Sequence, residues 1–254
     1  MKPNRPELHI RLHTTEVLSA DTSILLGEEQ AHYLGQVMRQ KVGDRFALFN
    51  GQDGEWVAII SSLHKKHLEV VVQEQVKPQR TEPDIWFLFA PLKHQKNERI
   101  IAQATELGVS KIIPVKMKHG IVDKIHRERW QLCAIEAAEQ SERLTVPEVT
   151  VLTPLTSMLF SWNSQRTLIV ADESGGGKTT NEILCDLRAP IAIMVGPEGG
   201  FAYTELELLR SYFFVQGVGV GARILKADTA AITLLSLIAN QCGDWNLQPE
   251  FRSH

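Results

Sequence analysis

The stretch Ile191-Ala192-Ile193-Met194-Val195-Gly196-Pro197-Glu198-Gly199-Gly200 decides the fold of this chain. Its first half is a run of apolar residues, which is typical of a strand buried on both faces of a sheet. Its second half is a glycine-rich turn, whose glycines permit positive φ angles and let a ligand approach the backbone closely. A helix is predicted to begin at Thr204, with Glu207 completing a capping box. This unit predicts an α/β domain with a ligand site at the carboxyl end of the strand; the alternative is a tight turn that binds nothing.

Strands and helices alternate on both sides of this unit. Apolar strand candidates are followed by stretches whose apolar residues recur at helical spacing, and Gly108 and Gly243 stand where two helices should end. Such alternation indicates a mostly parallel sheet covered by helices on both faces. The predicted strands are Ile85–Ala90, Lys111–Val115, Thr167–Ala171 and Phe214–Val218, and the predicted helices are Asn97–Leu107, Arg127–Arg143 and Thr229–Cys242, the last capped by Asp228 or Thr229.

A linker is predicted at residues 77–83, which contain two prolines and several charged residues. It separates a small domain, residues 1–76, from a larger one, residues 84–254. Several β-rich segments and one short helical segment in the small domain predict a small barrel, a fold that binds RNA in some proteins. The predicted strands are Arg45–Asn50, Glu55–Ser62 and His67–Gln75, with a turn at Asn50–Gly54 and a helix between Glu28 and Arg39.

The composition is that of a folded globular protein, with 43% hydrophobic and 22% charged residues in 254. No stretch approaches the roughly 20 consecutive apolar residues of a membrane-spanning helix. The polar N-terminus lacks the apolar core of a signal peptide, so we expect a cytoplasmic protein with no membrane partner. Cys133, Cys185 and Cys242 are widely spaced and odd in number, which predicts buried or partly buried free thiols. The sequence has no metal-binding motif, and we expect no metal.

Charge is unevenly distributed along the chain. The formal net charge is −3, which alone argues against a nucleic-acid partner. Residues 90–129, however, contain nine Lys or Arg against four Asp or Glu, whereas residues 130–254 contain eight against fourteen. This distribution is compatible with a local electropositive stripe, but from charge alone a solvated lysine-rich surface is the favoured interpretation.

Two glycine-rich segments imitate nucleotide-binding motifs. Residues 217–226 contain Gly-x-Gly-x-Gly but lack the spacing of a dinucleotide fingerprint and a following βα unit. Residues 172–180 contain Gly-Lys-Thr, as a Walker A loop does, but Asp172 stands where that motif has its first glycine. Since a carboxylate there would repel phosphates, we interpret the glycine run at residues 175–177 as a flexible surface loop, with ATP hydrolysis as the alternative.

These motifs together resemble the ribosomal RNA small subunit methyltransferase E family of the SPOUT methyltransferases. The resemblance extends along most of the chain and is most specific at residues 196–201 with Glu205 and at residues 221–230. Further support comes from residues 105–109, residues 136–143, and Val42-Gly43-Asp44 preceded by Arg39.

The resemblance implies a PUA-like RNA-binding β-barrel followed by a knotted α/β domain, in which a parallel sheet forms part of a deep trefoil knot. It implies S-adenosyl-L-methionine as the cofactor, a homodimer, and methylation of N3 of one uridine near the 3′ end of 16S rRNA in the assembled small ribosomal subunit. The implied cofactor-binding residues lie in three strand-end segments: Ala171, Glu173, Val195, Gly196, Pro197, Gly200, Val220, Gly221, Ile224 and Leu225.

Methylation at N3 needs donors for the charge that spreads onto O2 and O4 as the N3 proton leaves. Arg223 and Lys226 are the candidates for this role, although a structural or dimer salt bridge is an alternative for Arg223. Glu198 is the candidate for positioning the base or contacting the cofactor. Lys226 and Asp228 stand where the family has Arg and Glu, and His119-Gly120 where it has Arg-Ser.

Phosphate contacts are predicted for exposed cations. They would position the RNA without reading its sequence. For Arg143 a structural or dimer role is an equal alternative. The candidates are Arg11, Arg39, Lys93, Arg143 and the basic stretch at residues 111–129.

Three other functions remain open at the level of sequence. The first is a non-catalytic RNA-binding or assembly factor, which the pocket glycines and the charged Arg223 and Lys226 disfavour. The second is a SPOUT enzyme with another RNA substrate, such as tRNA. The third is a nucleotide hydrolase that uses the loop at residues 175–179.

Overall fold

The computed structural model describes residues 8–93, 96–185 and 187–247, and the chain forms two compact units. Of the described residues, unit 1 contains residues 8–81 and also Ala138–Thr145, a stretch that is predicted from the sequence to lie in the larger domain. Unit 2 contains Glu82–Ala137 and Val146–Leu247.

Unit 1 is built on one mixed sheet. Its elements are β1 (Arg11–His13), β2 (Ser23–Leu26), α1 (Glu28–His32), β3 (Arg45–Phe49), β4 (Glu55–Leu63) and β5 (Leu68–Lys77), and α1 continues into a π-helical turn at Tyr33–Val37. The strand order is β1-β3-β4-β5-β2, in which β1 pairs with β3 in parallel and the other ladders are antiparallel. Alternate residues of these strands face a core that contains Phe46, Leu48, Ile60, Leu68 and Val70.

The predicted turn between β3 and β4 is confirmed. The side-chain Oδ1 of Asn50 accepts hydrogen bonds from the backbone N–H of Gln52 at 3.0 Å and of Asp53 at 2.8 Å, as Asn commonly does in turns. Gly54 has φ +80°, and a Cβ there would lie 2.3 Å from the carbonyl oxygen of Lys77. Only glycine fits this position, and it fixes where the hairpin closes.

Arg11 is part of the interior of unit 1, which corrects its prediction as a phosphate ligand. Its side chain is 3% exposed and its Nε pairs with Glu55 at 2.5 Å. Its Nη1 donates to the carbonyl of Ala138 at 2.7 Å, and its Nη2 donates to the carbonyl of Arg143. A guanidinium enclosed in this way binds the 138–145 segment into unit 1 and has no face left for RNA.

Unit 2 alternates strands and helices. In chain order its elements are β6 (Ile85–Phe89), α2 (Lys96–Glu106), β7 (Lys111–Lys116), α3 (Arg127–Gln140, whose last residues belong to unit 1), β8 (Glu148–Val149), β9 (Thr153–Pro154), α4 (Leu155–Phe160), β10 (Thr167–Ala171), β11 (Lys178–Thr179), α5 (Thr180–Leu184), β12 (Ile191–Val195), α6 (Tyr203–Arg210), β13 (Val215–Gly219) and α7 (Ala227–Cys242).

The sheet of unit 2 has the order β11-β13-β10-β12-β6-β7-β8, with β9 paired to β7. Its described ladders are all parallel, which agrees with the predicted sheet. Strand β12 is buried along its whole length. Ile191, Ile193 and Val195 pack on one core, and Ala192 and Met194 pack on another. Since a fully buried aliphatic side chain contributes about 1.5–3 kcal/mol, this central strand anchors both layers.

The order of the strands in this sheet differs from their order along the chain. Strand β13 lies between β10 and β11, although both are formed earlier in the chain. The chain then continues into α7, which packs against β10, β12 and α5. A late strand inserted between two earlier ones agrees with the knotted fold that the resemblance implies, and knots are rare in proteins.

Several predicted helix ends are corrected by the structure. Helix α3 ends at Gln140 and not at Arg143, because Glu142 has φ +61°, a left-handed conformation that ends a helix. Helix α6 begins at Tyr203, before the predicted Thr204. Helix α7 begins at Ala227 with Lys226 as its N-cap residue, so neither Asp228 nor Thr229 caps it.

Two further properties concern the whole of the described chain. Cys133 and Cys242 are partly buried free thiols as predicted, but Cys185 is exposed. Among the described residues, no helix has both the length and the apolar character that crossing a membrane requires.

Candidate active site

A pocket of about 730 Å³ lies at the carboxyl ends of β10, β12 and β13. Cofactor pockets commonly enclose roughly 300–1,000 Å³, and this end of the strands is where open α/β sheets bind ligands. The loops after the three strands and the first turn of α7 line the pocket. All ten residues implied for cofactor binding are among the lining residues, together with Glu198, Arg223 and Lys226. The structure thus brings these predicted residues together, and their individual roles stay predictions.

The glycine loop, residues 196–200, forms one wall of the pocket. The N–H of Gly200 donates to the carbonyl of Pro197 at 2.9 Å, which closes the turn. Gly200 has φ +73°, and a Cβ there would lie 2.1 Å from Oε1 of Glu173. A Cβ at Gly196 would lie 2.8 Å from the ring of the buried Phe201. Both glycines therefore make room for neighbouring groups, and the backbone of the loop faces the pocket without side chains at these positions.

Of two residues outside the pocket, His119 contacts the glycine loop and Glu205 joins the segments that contain Ala202 and Lys118. The carboxylate of Glu205 accepts hydrogen bonds from the N–H of Ala202 at 3.0 Å and of Lys118 at 2.7 Å. The Nδ1 atom of His119 lies 3.1 Å from the carbonyl oxygen of Gly200. Glu205, and not the predicted Glu207, is therefore the acid that caps α6. The hydrogen bond between Lys118 and Glu205 could not be inferred from local spacing.

The loop after β10 is held by the buried carboxylate of Asp172. Its Oδ1 accepts from the N–H of Ser174 at 2.9 Å and from its Oγ at 2.6 Å, and its Oδ2 pairs with Nη2 of Arg210 at 2.8 Å. Burial alone raises the pKa of Asp172, but the hydrogen bonds from Ser174 and Arg210 outweigh burial and hold the pKa below its usual value. The ionised carboxylate joins α6 to the loop that carries Ala171 and Glu173.

The rest of this loop contains the glycine run, residues 175–177, which lies at the surface as predicted, and its flexibility stays a prediction. Lys178 and Thr179 form β11 beside β13, and Thr179 caps α5 through a capping box with Glu182. A Cβ at Gly177 would lie 2.7 Å from the backbone carbon of Gly217. Gly177 therefore lets two backbone segments pack closely. The glycines of a Walker A loop, in contrast, surround phosphates.

The third loop, residues 220–226, presents charged and apolar side chains at the pocket. Gly221 has φ +82°, and the side chain of Ile224 is 83% exposed. Arg223 and Lys226 are exposed, and neither side chain has a hydrogen bond or ion pair with the described residues. The described residues form no salt bridge with Arg223, and a salt bridge within a dimer stays an alternative. Both cations lie beside the N-terminus of α7 without a partner among the described residues.

Lys96 is a pocket residue that the sequence analysis did not select. It lies in the first turn of α2, and its Nζ pairs with Oε1 of Glu198 at 2.5 Å. The hydrogen bond and the charge of Glu198 raise the pKa of Lys96. Because the two residues are 102 positions apart, no sequence motif joins them. The pair places an ammonium and a carboxylate side by side at the edge of the glycine loop.

The predicted phosphate ligands have different surroundings. Arg39 and Lys93 are exposed and stay predictions. Arg143 is partly buried in unit 1, where its Nη2 donates to Thr145 at 3.1 Å and its carbonyl accepts from Arg11, which favours its structural alternative. In the basic stretch, three cations form ion pairs with acids: Lys111 with Glu148, Lys116 with Asp123, and Arg129 with Glu98.

Comparison with known protein families identifies the class. The model of an RNA methyltransferase domain matches residues 79–239, and that of an RNA methyltransferase PUA domain matches residues 26–73. The chain thus contains the two domains of this class, an RNA methyltransferase domain and a PUA domain.

Individual relatives narrow the class to one family. The chain is 36% identical over 249 residues to ribosomal RNA small subunit methyltransferase E of Rickettsia conorii, covering 95% of this chain and 98% of the relative. It is 31% identical to that of Bacillus subtilis, covering 91% and 95%. The crystal structure of ribosomal RNA small subunit methyltransferase E from Neisseria gonorrhoeae, bound to S-adenosyl methionine, matches with a TM-score of 0.82 and 27% identity over 93% of this chain and 99% of the other. The chain belongs to the ribosomal RNA small subunit methyltransferase E family, which confirms the resemblance and the SPOUT fold with a PUA-like domain.

Proposed function

We propose that this protein transfers a methyl group from S-adenosyl-L-methionine to N3 of one uridine near the 3′ end of 16S rRNA. The observation that carries the proposal is the pocket at the ends of β10, β12 and β13, lined by all ten residues implied for the cofactor, in a member of this family. We further propose that the enzyme acts in the cytoplasm as a homodimer on the assembled small ribosomal subunit, and so takes part in ribosome biogenesis.

The pocket residues fit the proposed cofactor. Gly196 and Gly200 leave backbone exposed on one wall, where any side chain would collide with Phe201 or Glu173. Val195, Val220, Ile224 and Leu225 supply apolar surface for an adenine ring, and Glu173 supplies an acceptor for hydroxyl groups. The cofactor, when bound, supplies a methyl group activated by a sulfonium.

The free cations of the third loop fit the chemistry of a uracil acceptor. When N3 loses its proton, negative charge spreads onto O2 and O4, and preorganised donors at these oxygens stabilise it. Arg223 and Lys226 lie at the pocket and are not occupied by acids of the described chain. Because N3 is used in Watson–Crick pairing, the target uridine has to be unpaired or flipped out.

The decisive experiment uses small subunits from a strain that lacks this gene. The purified protein and radiolabelled S-adenosyl-L-methionine are added, and the labelled nucleoside is identified by mass mapping. We expect N3-methyluridine at one position near the 3′ end of 16S rRNA. Absence of transfer would favour a non-catalytic assembly factor, and label in tRNA or in another nucleoside would favour a different RNA substrate.

A further inference from the structure

The Lys96–Glu198 pair has a hydrogen-bond donor and a hydrogen-bond acceptor that bind no other group of the described residues. Nζ of Lys96 lies 2.5 Å from Oε1 of Glu198, and the two side chains are 47% and 38% exposed. An ammonium has three protons, of which Glu198 takes one. The described residues offer no hydrogen bond to the second carboxylate oxygen, Oε2. The pair therefore presents unused N–H groups next to an unused carboxylate oxygen, in a pocket whose other residues are mostly glycine and aliphatic.

This arrangement complements one edge of uracil. The imide edge of uracil has the order carbonyl, N–H, carbonyl, which is acceptor, donor, acceptor. We propose that Lys96 donates to one carbonyl of the target uracil while Oε2 of Glu198 accepts the N3–H, and that Glu198 then takes the N3 proton. This inference rests on the proposed function and assigns to Lys96 and Glu198 the roles of reading the base and accepting its proton.

The proton transfer is balanced within the methyl transfer. The N3–H bond breaks and its proton passes to the carboxylate of Glu198, while the electron pair left on N3 forms the bond to the methyl carbon and the electrons of the methyl–sulfur bond stay on sulfur. The negative charge of Glu198 is lost in this step, and Lys96 keeps its positive charge beside the carbonyl. Arg223 and Lys226 remain available for the second carbonyl. The negative charge of Asp228, in the first turn of α7, also raises the pKa of Lys96.

The same pair discriminates against cytosine. Cytosine has no proton on N3, so the carboxylate of Glu198 would face a lone pair. Its exocyclic amino group, which replaces O4, would face either the ammonium of Lys96 or the cations at the second carbonyl, and both contacts would be repulsive. A site built to pair with a polar group rejects analogues that leave its own polar groups unpaired. The pair would thus exclude cytidine as well as promote reaction at uridine.

The test compares Glu198→Gln with Lys96→Met and Lys96→Arg in full-length protein. A positioned base contributes about 10²–10⁴-fold to rate, so for Glu198→Gln we expect kcat to fall by about 10²-fold or more, with S-adenosyl-L-methionine affinity by calorimetry within about twofold of wild type. Its rate should rise with pH in proportion to the uridine that is ionised at N3, because that uridine needs no acceptor. Lys96→Met should weaken transfer, and Lys96→Arg, which keeps the donor, should restore part of it.

A second readout does not depend on turnover. A carbodiimide that modifies unpaired uridine at N3 is applied to small subunits with the protein and S-adenosyl-L-homocysteine. Wild-type protein should protect the target N3, and both Glu198→Gln and Lys96→Met should protect it less.

The results separate failure of this inference from failure of the proposed function. If wild-type protein produces no N3-methyluridine, both are overturned. If wild-type protein does so, the inference alone is overturned by any of three findings: unchanged kcat in Glu198→Gln, a large loss of cofactor affinity in a folded Glu198→Gln, or no recovery of its rate with rising pH.

Discussion

Arg223 is the residue whose substitution should most clearly affect methyl transfer without affecting the affinity for S-adenosyl-L-methionine. Its exposed side chain lies at the pocket without an acidic partner in the described chain. We predict that Arg223→Ala keeps its affinity for S-adenosyl-L-methionine within about twofold and loses roughly 10²–10³-fold in methyl transfer, the range for removal of one oxyanion donor. Calorimetry and single-turnover transfer on small subunits measure the two quantities.

Arg223→Lys is the matched control, because it keeps the charge but not the bidentate donor geometry. It should recover part of the lost rate. Lost cofactor affinity in a folded Arg223→Ala would contradict the assignment and would make Arg223 a cofactor ligand.

At the scale of elements, helix α6 connects the glycine loop to its support. The carboxylate of Glu205 holds the N–H groups of Ala202 and Lys118, whereas Glu207 is exposed and only approaches Arg210, at 3.5 Å. We predict that Glu205→Ala costs about 1–2 kcal/mol of stability, as loss of a helix cap does, and that it weakens cofactor binding because the glycine loop loses a support. Urea denaturation and calorimetry measure these effects.

Glu207→Ala in the same helix is the control. Its exposed ion pair should be worth less than about 1 kcal/mol, and its cofactor affinity should equal that of wild type. Equal losses in Glu205→Ala and Glu207→Ala would show that helix propensity, and not the contact with Lys118, explains the effect.

Some helices and strands can be predicted from the sequence, and others cannot. Strands Thr167–Ala171 and Ile191–Val195 match their predicted limits, because a strand buried on both faces needs an unbroken apolar run. The sequence predicts Glu207 as the capping acid of α6, because Thr204 is a favoured N-cap residue and Ala202 is not. The structure has Glu205 in this role. Two-residue strands such as β8 and β11 have no periodic pattern to read.

At the site, contacts between residues that are distant in the sequence could not be predicted. The sequence predicts the three pocket loops because each follows an apolar strand and is rich in glycine or charge. It does not predict the contacts of Lys96, Arg210 and His119, because their partners are 102, 38 and 81 positions away. It predicts Arg11 as a surface cation, because the enclosure of Arg11 depends on Glu55 and on the backbone of residues 138–143. Only the folded chain shows which charges are already paired.

At the scale of the whole molecule, net charge and RNA binding have to be reconciled. The net charge is −3, and several cations of the basic stretch are paired with acids. Exposed cations such as Arg39 and Lys93 are therefore expected to supply phosphate contacts. Because the protein as a whole is weakly acidic, attraction to RNA should depend on these local groups and not on long-range charge.

We predict that affinity for small-subunit RNA falls steeply as salt rises. Each neutralised phosphate contributes roughly 0.7–0.9 to the slope of log affinity against log salt, so about four contacts give a slope near −3. Arg39→Gln and Lys93→Gln should each reduce the slope by about 1. Arg11→Gln should destabilise unit 1 and leave the slope of the folded protein unchanged, since its side chain is 3% exposed and paired with Glu55. Filter binding across a salt series measures the slope. If the affinity of the wild-type protein did not change with salt, phosphate contacts would not be the source of that affinity.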